Sequence, residues 1–209
     1  GDSGSVTAAS VDAPQIIGQA ITLGLIETTA FADGGSDTIT TGSGSDIAFG
    51  GHNDGSAGDP ADGSTVEVIN VGEGDNIVIG DDGAIDYTRA DRDDTAAGAD
   101  LNAADIDLIV STSTTLGGGV DDIDAGSGND IVIAGRFDDT IDLVDGNNLV
   151  IGDSGSITAS NTNNAPQLAG QPMTLGLIET TEFDDGGVDT VNTGIGRDIV
   201  LGGDEGDTL

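Results

Sequence analysis

Between Gly117 and Ile151 four oxygen-bearing side chains, Asp121, Asp130, Asp139 and Asn148, recur at a strict spacing of nine. Two places after each stands an aliphatic residue, Ile123, Val132, Ile141 and Val150, and glycines crowd the positions before the acids. Carboxylates held at one fixed step point to the chemistry of cations, because closely spaced negative charge repels itself unless a counter-charge enters.

A nine-residue unit has to position those groups, and it is too short for a helix pair. It suits a turn followed by a three-residue strand, stacked on the next such unit. Glycine supplies the positive φ that a tight turn needs, and the strand needs one branched side chain pointing inward.

The composition agrees with a cation-dependent fold. The 209 residues hold 39 acids against four basic residues, the arginines 89, 92, 136 and 197, for a net charge of −35. Nucleic acid and anionic membranes are excluded as partners by that balance, since few cationic groups exist to meet phosphates. Thirty-six glycines and 2% aromatic residues would suit a disordered chain, but the regular aliphatic spacing does not. Cysteine is absent, so thiolate sites and disulfides are out of reach and the redox compartment stays open. No apolar run approaches the ~18 residues of a membrane span. The chain starts at Gly1 without Met and stops at Leu209 inside a repeat, and reads as a segment of something longer.

A larger repeat encloses the small one: GDSGSV at Gly1, GDDGAI at Gly80 and GDSGSI at Gly152. These divide the chain into modules 1–79, 80–151 and 152–209, expected to form one continuous solenoid with loops hung on it. The first and third modules are most alike, ITLGLIETTAFADGGSDTI from Ile21 against MTLGLIETTEFDDGGVDTV from Met173. A short strand is expected at Ser5–Thr7. ITLGLIETT should be a half-buried strand with Ile21, Leu23 and Leu25 alternating. Module one carries units at Asp37 and Asp46, a loop from His52 to Thr65, then units at Glu67 and Asn76 with Ile69 and Val78 inward. Module two has a polar excursion from Asp86 to Asp105 holding Arg89 and Arg92, which read as loop salt bridges. Module three carries Asp189, Asp198 and Asp207, with Val191, Val200 and Leu209 inward.

GGSDTITTGSGSDIAFGG (Gly34 to Gly51), AGSGNDIVIAG (Ala125 to Gly135) and TGIGRDIVLGGDEGDTL (Thr193 to Leu209) resemble the RTX calcium-binding nonapeptide, GGxGxDxUx. The resemblance covers roughly half the chain. It implies an all-β parallel β-roll or β-solenoid of turn-strand units with several calcium ions between stacked turns. The ions would be held by carboxylates and glycine-region carbonyls, which suit a hard cation taking 6–8 oxygens at ~2.4 Å. Carried over residue by residue, the resemblance pairs Asp121 with Asp139, Asp189 with Asp207, Asp130 with Asn148, Asp37 with Glu67 and Asp46 with Asn76, and Asp198 follows the same pattern. Asn76 and Asn148 are neutral, Glu67 is longer, and Thr41, Val71, Ala125, Ala134, Leu143 and Thr193 replace the first glycine, so weaker or empty sites are expected there. A single such Asp would read as a turn former needing no metal; eleven in phase favour calcium.

Alternate units differ in what flanks the inward residue. Those at Asp37, Asp121, Asp139 and Asp189 are polar on both sides, so one sheet should face water. The others point Ile47, Phe49, Ile77, Ile79, Ile131, Ile133, Leu149, Ile151, Ile199 and Leu201 away from the roll, a stripe too continuous to leave bare. Its cover is the chain's own ITLGLIETT-type strands, the preferred reading, or another copy of the protein, or each along different rows.

Catalytic constellations are not found. His52 is a lone loop histidine, expected in solvent, and GDSGS recurs as a module boundary without a positioned His partner. Taken together, the sequence suggests a non-enzymatic, calcium-stiffened segment of a large secreted protein, an adhesin, surface layer or filament at or outside the cell surface. It would fold on calcium binding after export, and the resemblance implies a one-step type I route. The alternatives are a repeat module appended to a secreted enzyme, for example a polysaccharide-modifying one, and an ice- or surface-binding solenoid. Only Thr38 and Thr40 supply the Thr-x-Thr that the last one needs.

Overall fold

A computed structural model describes residues 3–9, 21–29, 31, 34–53, 66–89, 104–113, 117–160, 170, 173–184 and 186–209. Most of the loop from His52 to Thr65 and most of the excursion from Asp86 to Asp105, Arg92 included, lie outside the described residues. The described residues are all-β, with strands in three sheets.

Two of the sheets are wholly parallel. The inner one stacks β4 (Ile47–Phe49), β6 (Ile77–Ile79), β10 (Ile131–Ile133), β12 (Leu149–Ile151) and β16 (Ile199–Leu201). The outer one stacks β3 (Thr38–Thr40), β5 (Val66–Asn70), β9 (Val120–Ser127), β11 (Thr140–Asp145) and β15 (Thr190–Asn192). Each strand pairs with the equivalent strand of the next rung, so like residues form columns. Ala48, Val78, Val132, Val150 and Val200 line up along the inner sheet, and Ile39, Ile69, Ile123, Ile141 and Val191 along the outer. These two columns meet in one buried cluster between the sheets. Leu209 does not join it and is 68% exposed.

The third sheet is antiparallel, in the order β1 (Gly4–Ala8), β2 (Leu23–Thr28), β7 (Gly83–Asp86), β8 (Leu108–Ser111), β13 (Gly155–Ala159), β14 (Leu175–Thr180). The sheets are therefore mixed, which corrects the expectation of a parallel architecture throughout. The reason lies in the inner strands. IVI and LVI triplets are apolar on both faces and need cover on both. The G-D-x-G segments at Gly80 and Gly152 lead the chain off the inner sheet into β7 and β13, which lie over it. Ile85, Ile106, Ile109, Ile157 and Met173 pack there against Ile77, Ile79, Ile131, Ile133, Leu149 and Ile151. The chain itself thus covers the middle of the apolar stripe; at the ends Ile47, Phe49 and Leu201 stay partly buried and Ile199 is 39% exposed.

Simple alternation fails in the ITLGLIETT strand. The register slips between Thr7 and Ala8, pairing Thr7 with Leu25 but Ala8 with Leu23 and leaving Gly24 opposite no residue. A bulge of this kind changes which face later residues take, so Leu23 is buried in the core and the half-buried Ile26 packs against it, while Leu25 is half-buried outside that cluster and Ile21 is exposed. Module three repeats the slip between Thr158 and Ala159, and Leu177 is exposed. Both bulges need glycine for space: a Cβ on Gly24 would sit 2.9 Å from the Ala8 carbonyl carbon, and one on Gly176 2.7 Å from that of Ala159.

Candidate metal centre

Strand periodicity dictates where the acids point. Residues two apart share a face of a strand, so an acid two places before an inward aliphatic also points between the two parallel sheets. The acids therefore plug the ends of the buried cluster. One set lies at the first edge, where the chain passes from inner to outer sheet, and the other at the second edge, where it returns.

At the first edge Asp37, Glu67, Asp121, Asp139, Asp189 and Asp207 form a single column across the rungs. The N–H of Asp121 donates to Asp139 Oδ1 at 2.8 Å, that of Asp139 to Asp189 Oδ1 at 2.9 Å, and that of Asp189 to Asp207 Oδ1 at 3.1 Å. Asp121–Asp139 and Asp189–Asp207 are the expected pairs, but the column also joins Asp139 to Asp189 across the module boundary. Glu67, Asp121, Asp139 and Asp189 are buried, while Asp37 and Asp207 at the ends are half-buried. Both Asp121 carboxylate oxygens, and Oδ2 of Asp139 and of Asp189, are buried with no hydrogen-bond donor.

Oδ2 of Asp121 and of Asp189 face glycines at the ends of inner-sheet strands, as does Oδ2 of Asp207. A Cβ built on Gly80 would lie 2.1 Å from Asp121 Oδ2 and 2.3 Å from the Ala134 carbonyl oxygen. On Gly152 it would lie 2.1 Å from Asp189 Oδ2 and 2.5 Å from the Gly202 oxygen, and on Gly202 it would lie 2.0 Å from Asp207 Oδ2. Carboxylate and main-chain oxygens thus converge with no donor between them, and such an arrangement asks for a cation or a proton. Burial first, then neighbouring carboxylates, pushes Asp121 and Asp139 well above the ordinary carboxyl range. Asp189 is pushed up to about 7 by burial, with Asp153, Asp207 and Asp138 adding to it.

Two further acids at this edge escaped the sequence reading. Asp81 Oδ1 accepts from the Gly119 N–H at 3.1 Å and its Oδ2 from the Arg136 N–H at 2.8 Å. Asp153 Oδ1 accepts from the Gly187 N–H at 3.0 Å and its Oδ2 from the Asp204 N–H. Each ties the strand where the chain leaves the parallel sheets to the point where it re-enters and to the next turn. Burial raises Asp81 to about 8, against the two backbone hydrogen bonds and with Asp82 adding to it. The signal for both is the Asp of the recurring G-D-x-G, which the spacing alone marks only as a module boundary. His52, expected in solvent, is buried instead, its Nδ1 3.5 Å from Asp82 Oδ2 and its ring against Gly117. Glycine at 117 leaves the room for that ring, since a Cβ there would lie 1.9 Å from His52 Nδ1.

At the second edge Asp46, Asn76, Asp130, Asn148 and Asp198 form the matching column. The N–H of each donates to Oδ1 of the next, at 3.0, 2.9, 3.0 and 2.9 Å in turn. Asn76 and Asn148 do not weaken this ladder, because an amide oxygen accepts the rung's N–H as a carboxylate does. Nor do the missing first glycines: Val71, Ala125, Ala134 and Leu143 are wholly buried and close the ends of the cluster between the sheets.

Among the described residues no three Asp, Glu, His or Cys side chains gather round one point. The donor set offered at the first edge is carboxylates from adjoining rungs together with main-chain carbonyls, all oxygen. Its chemistry fits a hard divalent cation, and neither thiolate nor imidazole lies among those donors. In comparisons with protein-family models, curated proteins and solved structures, the chain matches none.

Proposed function

We propose that this chain is a calcium-stabilised β-roll segment of a large secreted repeat protein of the RTX type, with a structural role in an adhesin, surface layer or extracellular filament. The observation that carries the reading is the buried first-edge column, in which carboxylate oxygens with no donor face main-chain oxygens. Asp121, Asp139 and Asp189 would hold the ions, with Glu67 above them and the carbonyls of Ala134 and Gly202 beside them. Bound calcium supplies charge neutralisation there. The chain's own residues do the rest: the N–H ladder sets the carboxylates one rung apart, and the flanking aliphatic columns keep water out.

Folding and binding are coupled on this reading. In a low-calcium compartment the net charge of −35 holds the chain expanded; at millimolar calcium outside the cell the rungs close. Far-ultraviolet circular dichroism tests it. At neutral pH, strand signal should appear with calcium and be lost in EDTA, and an unchanged β-spectrum in EDTA at that pH would contradict the proposal.

A further inference from the structure

The two edges do not solve the same electrostatic problem in the same way. At the second edge the Asn76 side chain is fully buried, and its Oδ1 accepts the Asp46 N–H. Its Nδ2 lies 3.2 Å from the Gly72 oxygen, 2.9 Å from the Gly74 oxygen, 3.3 Å from the Ala125 oxygen and 3.0 Å from Asp130 Oδ1. Four oxygens from two adjoining turns therefore surround one nitrogen that carries two hydrogens. Three main-chain carbonyls and a carboxylate are the donor set of a hard cation. The amide orientation is fixed by chemistry, since the atom facing four acceptors has to be the donor.

We infer that the Asn76 amide nitrogen occupies a cation position, so that this rung of the second edge is closed by a tethered NH2 group and takes no metal. The inference rests on the calcium reading only for the identity of the ion excluded. Asn148 repeats the device, accepting the Asp130 N–H on Oδ1 and donating from Nδ2 to the Thr193 oxygen at 3.3 Å. Thr41 does the same at the first rung, its hydroxyl lying 2.9 Å from both Asp46 Oδ2 and the Val71 oxygen. Asp130 is the exception: its Oδ2 stands one rung on from the Asn76 nitrogen, buried and without a donor. The second edge thus keeps one carboxylate oxygen with unmet demand, against a run of them at the first.

Replacing the nitrogen with oxygen tests this. Asn76→Asp should bind one more calcium than the wild-type chain when ions are counted by native mass spectrometry at saturating calcium. Its unfolding midpoint should also rise more steeply with calcium concentration. Asn76→Ala, with neither donor nor ligand, should keep the wild-type count and lose stability. An Asn76→Asp chain with the wild-type count, or one that stays unfolded at saturating calcium, overturns the inference. A wild-type chain that binds no calcium overturns the proposed function instead. An Asn76→Asp chain that then takes up one ion would leave the inference standing alone.

Discussion

The N–H of Asp121 reaches Oδ1 of Asp139 at 2.8 Å, while both Asp121 carboxylate oxygens and Asp139 Oδ2 are buried without a donor. Asp139 therefore has two separable roles, acceptor for the ladder and bearer of charge. Asp139→Asn keeps the first and removes the second. In EDTA it should keep its strand signal to a higher pH than the wild type, because Asp121, Asp81 and Asp189 lose a like-charged neighbour. Its gain on adding calcium should be smaller. Asp139→Ala also orphans the Asp121 N–H, which costs about 1–3 kcal/mol with or without calcium.

The acid column also fixes how stability responds to pH without calcium. Asp81 is raised to about 8 and Asp130 and Asp189 to about 7, all from an ordinary 3.8, with burial the first cause in each. Groups raised in this way bind more protons folded than unfolded, so stability falls as pH rises between the two values. The calcium-free chain should therefore hold its strands best near pH 4 and lose them as pH rises toward 8. With calcium the trend should reverse, because protons compete with the ion. Far-ultraviolet circular dichroism across that range in EDTA, and urea midpoints across it in calcium, give the two trends.

Gly80 and Gly152 stand where a methyl group would meet both oxygens of the proposed site. Gly80→Ala should lower the number of bound calcium ions by at least one and reduce the calcium-dependent part of stability. Gly35→Ala is the control, since a Cβ there meets nothing within 4 Å. Its calcium count, read by native mass spectrometry, should equal that of the wild type.

Cover of the inner sheet makes a separate prediction. Ile133 is wholly buried between that sheet and the antiparallel one, so Ile133→Ala should cost about 2–5 kcal/mol in calcium-saturated urea unfolding. Val144 is 52% exposed, and Val144→Ala should shift stability by less than about 0.5 kcal/mol.

What the sequence could reveal followed from periodicity. The inward columns through Ile123, Val132, Ile141 and Val150 and the two acid ladders are consequences of a nine-residue step, which any stacked arrangement must respect. The step could not show that Asp139 meets Asp189, fifty residues on, since that contact depends on how the chain returns from the antiparallel sheet. The same gap hid Asp81 and Asp153, whose partners Gly119 and Gly187 lie at the points of return. Neither Gly24 nor Gly176 announces a bulge, so strict alternation misplaced Leu25. Val71, Ala125 and Leu143 depart from a glycine consensus that records turn shape, while the core they fill is seen only in three dimensions.

The most direct measurement is an anomalous difference map from crystals grown in calcium, collected at a long wavelength. The account predicts peaks in the first-edge column beside the carboxylates of Asp121, Asp139 and Asp189, and none at the nitrogen of Asn76. A map without peaks in that column, or with those three carboxylates turned out to solvent, would contradict it.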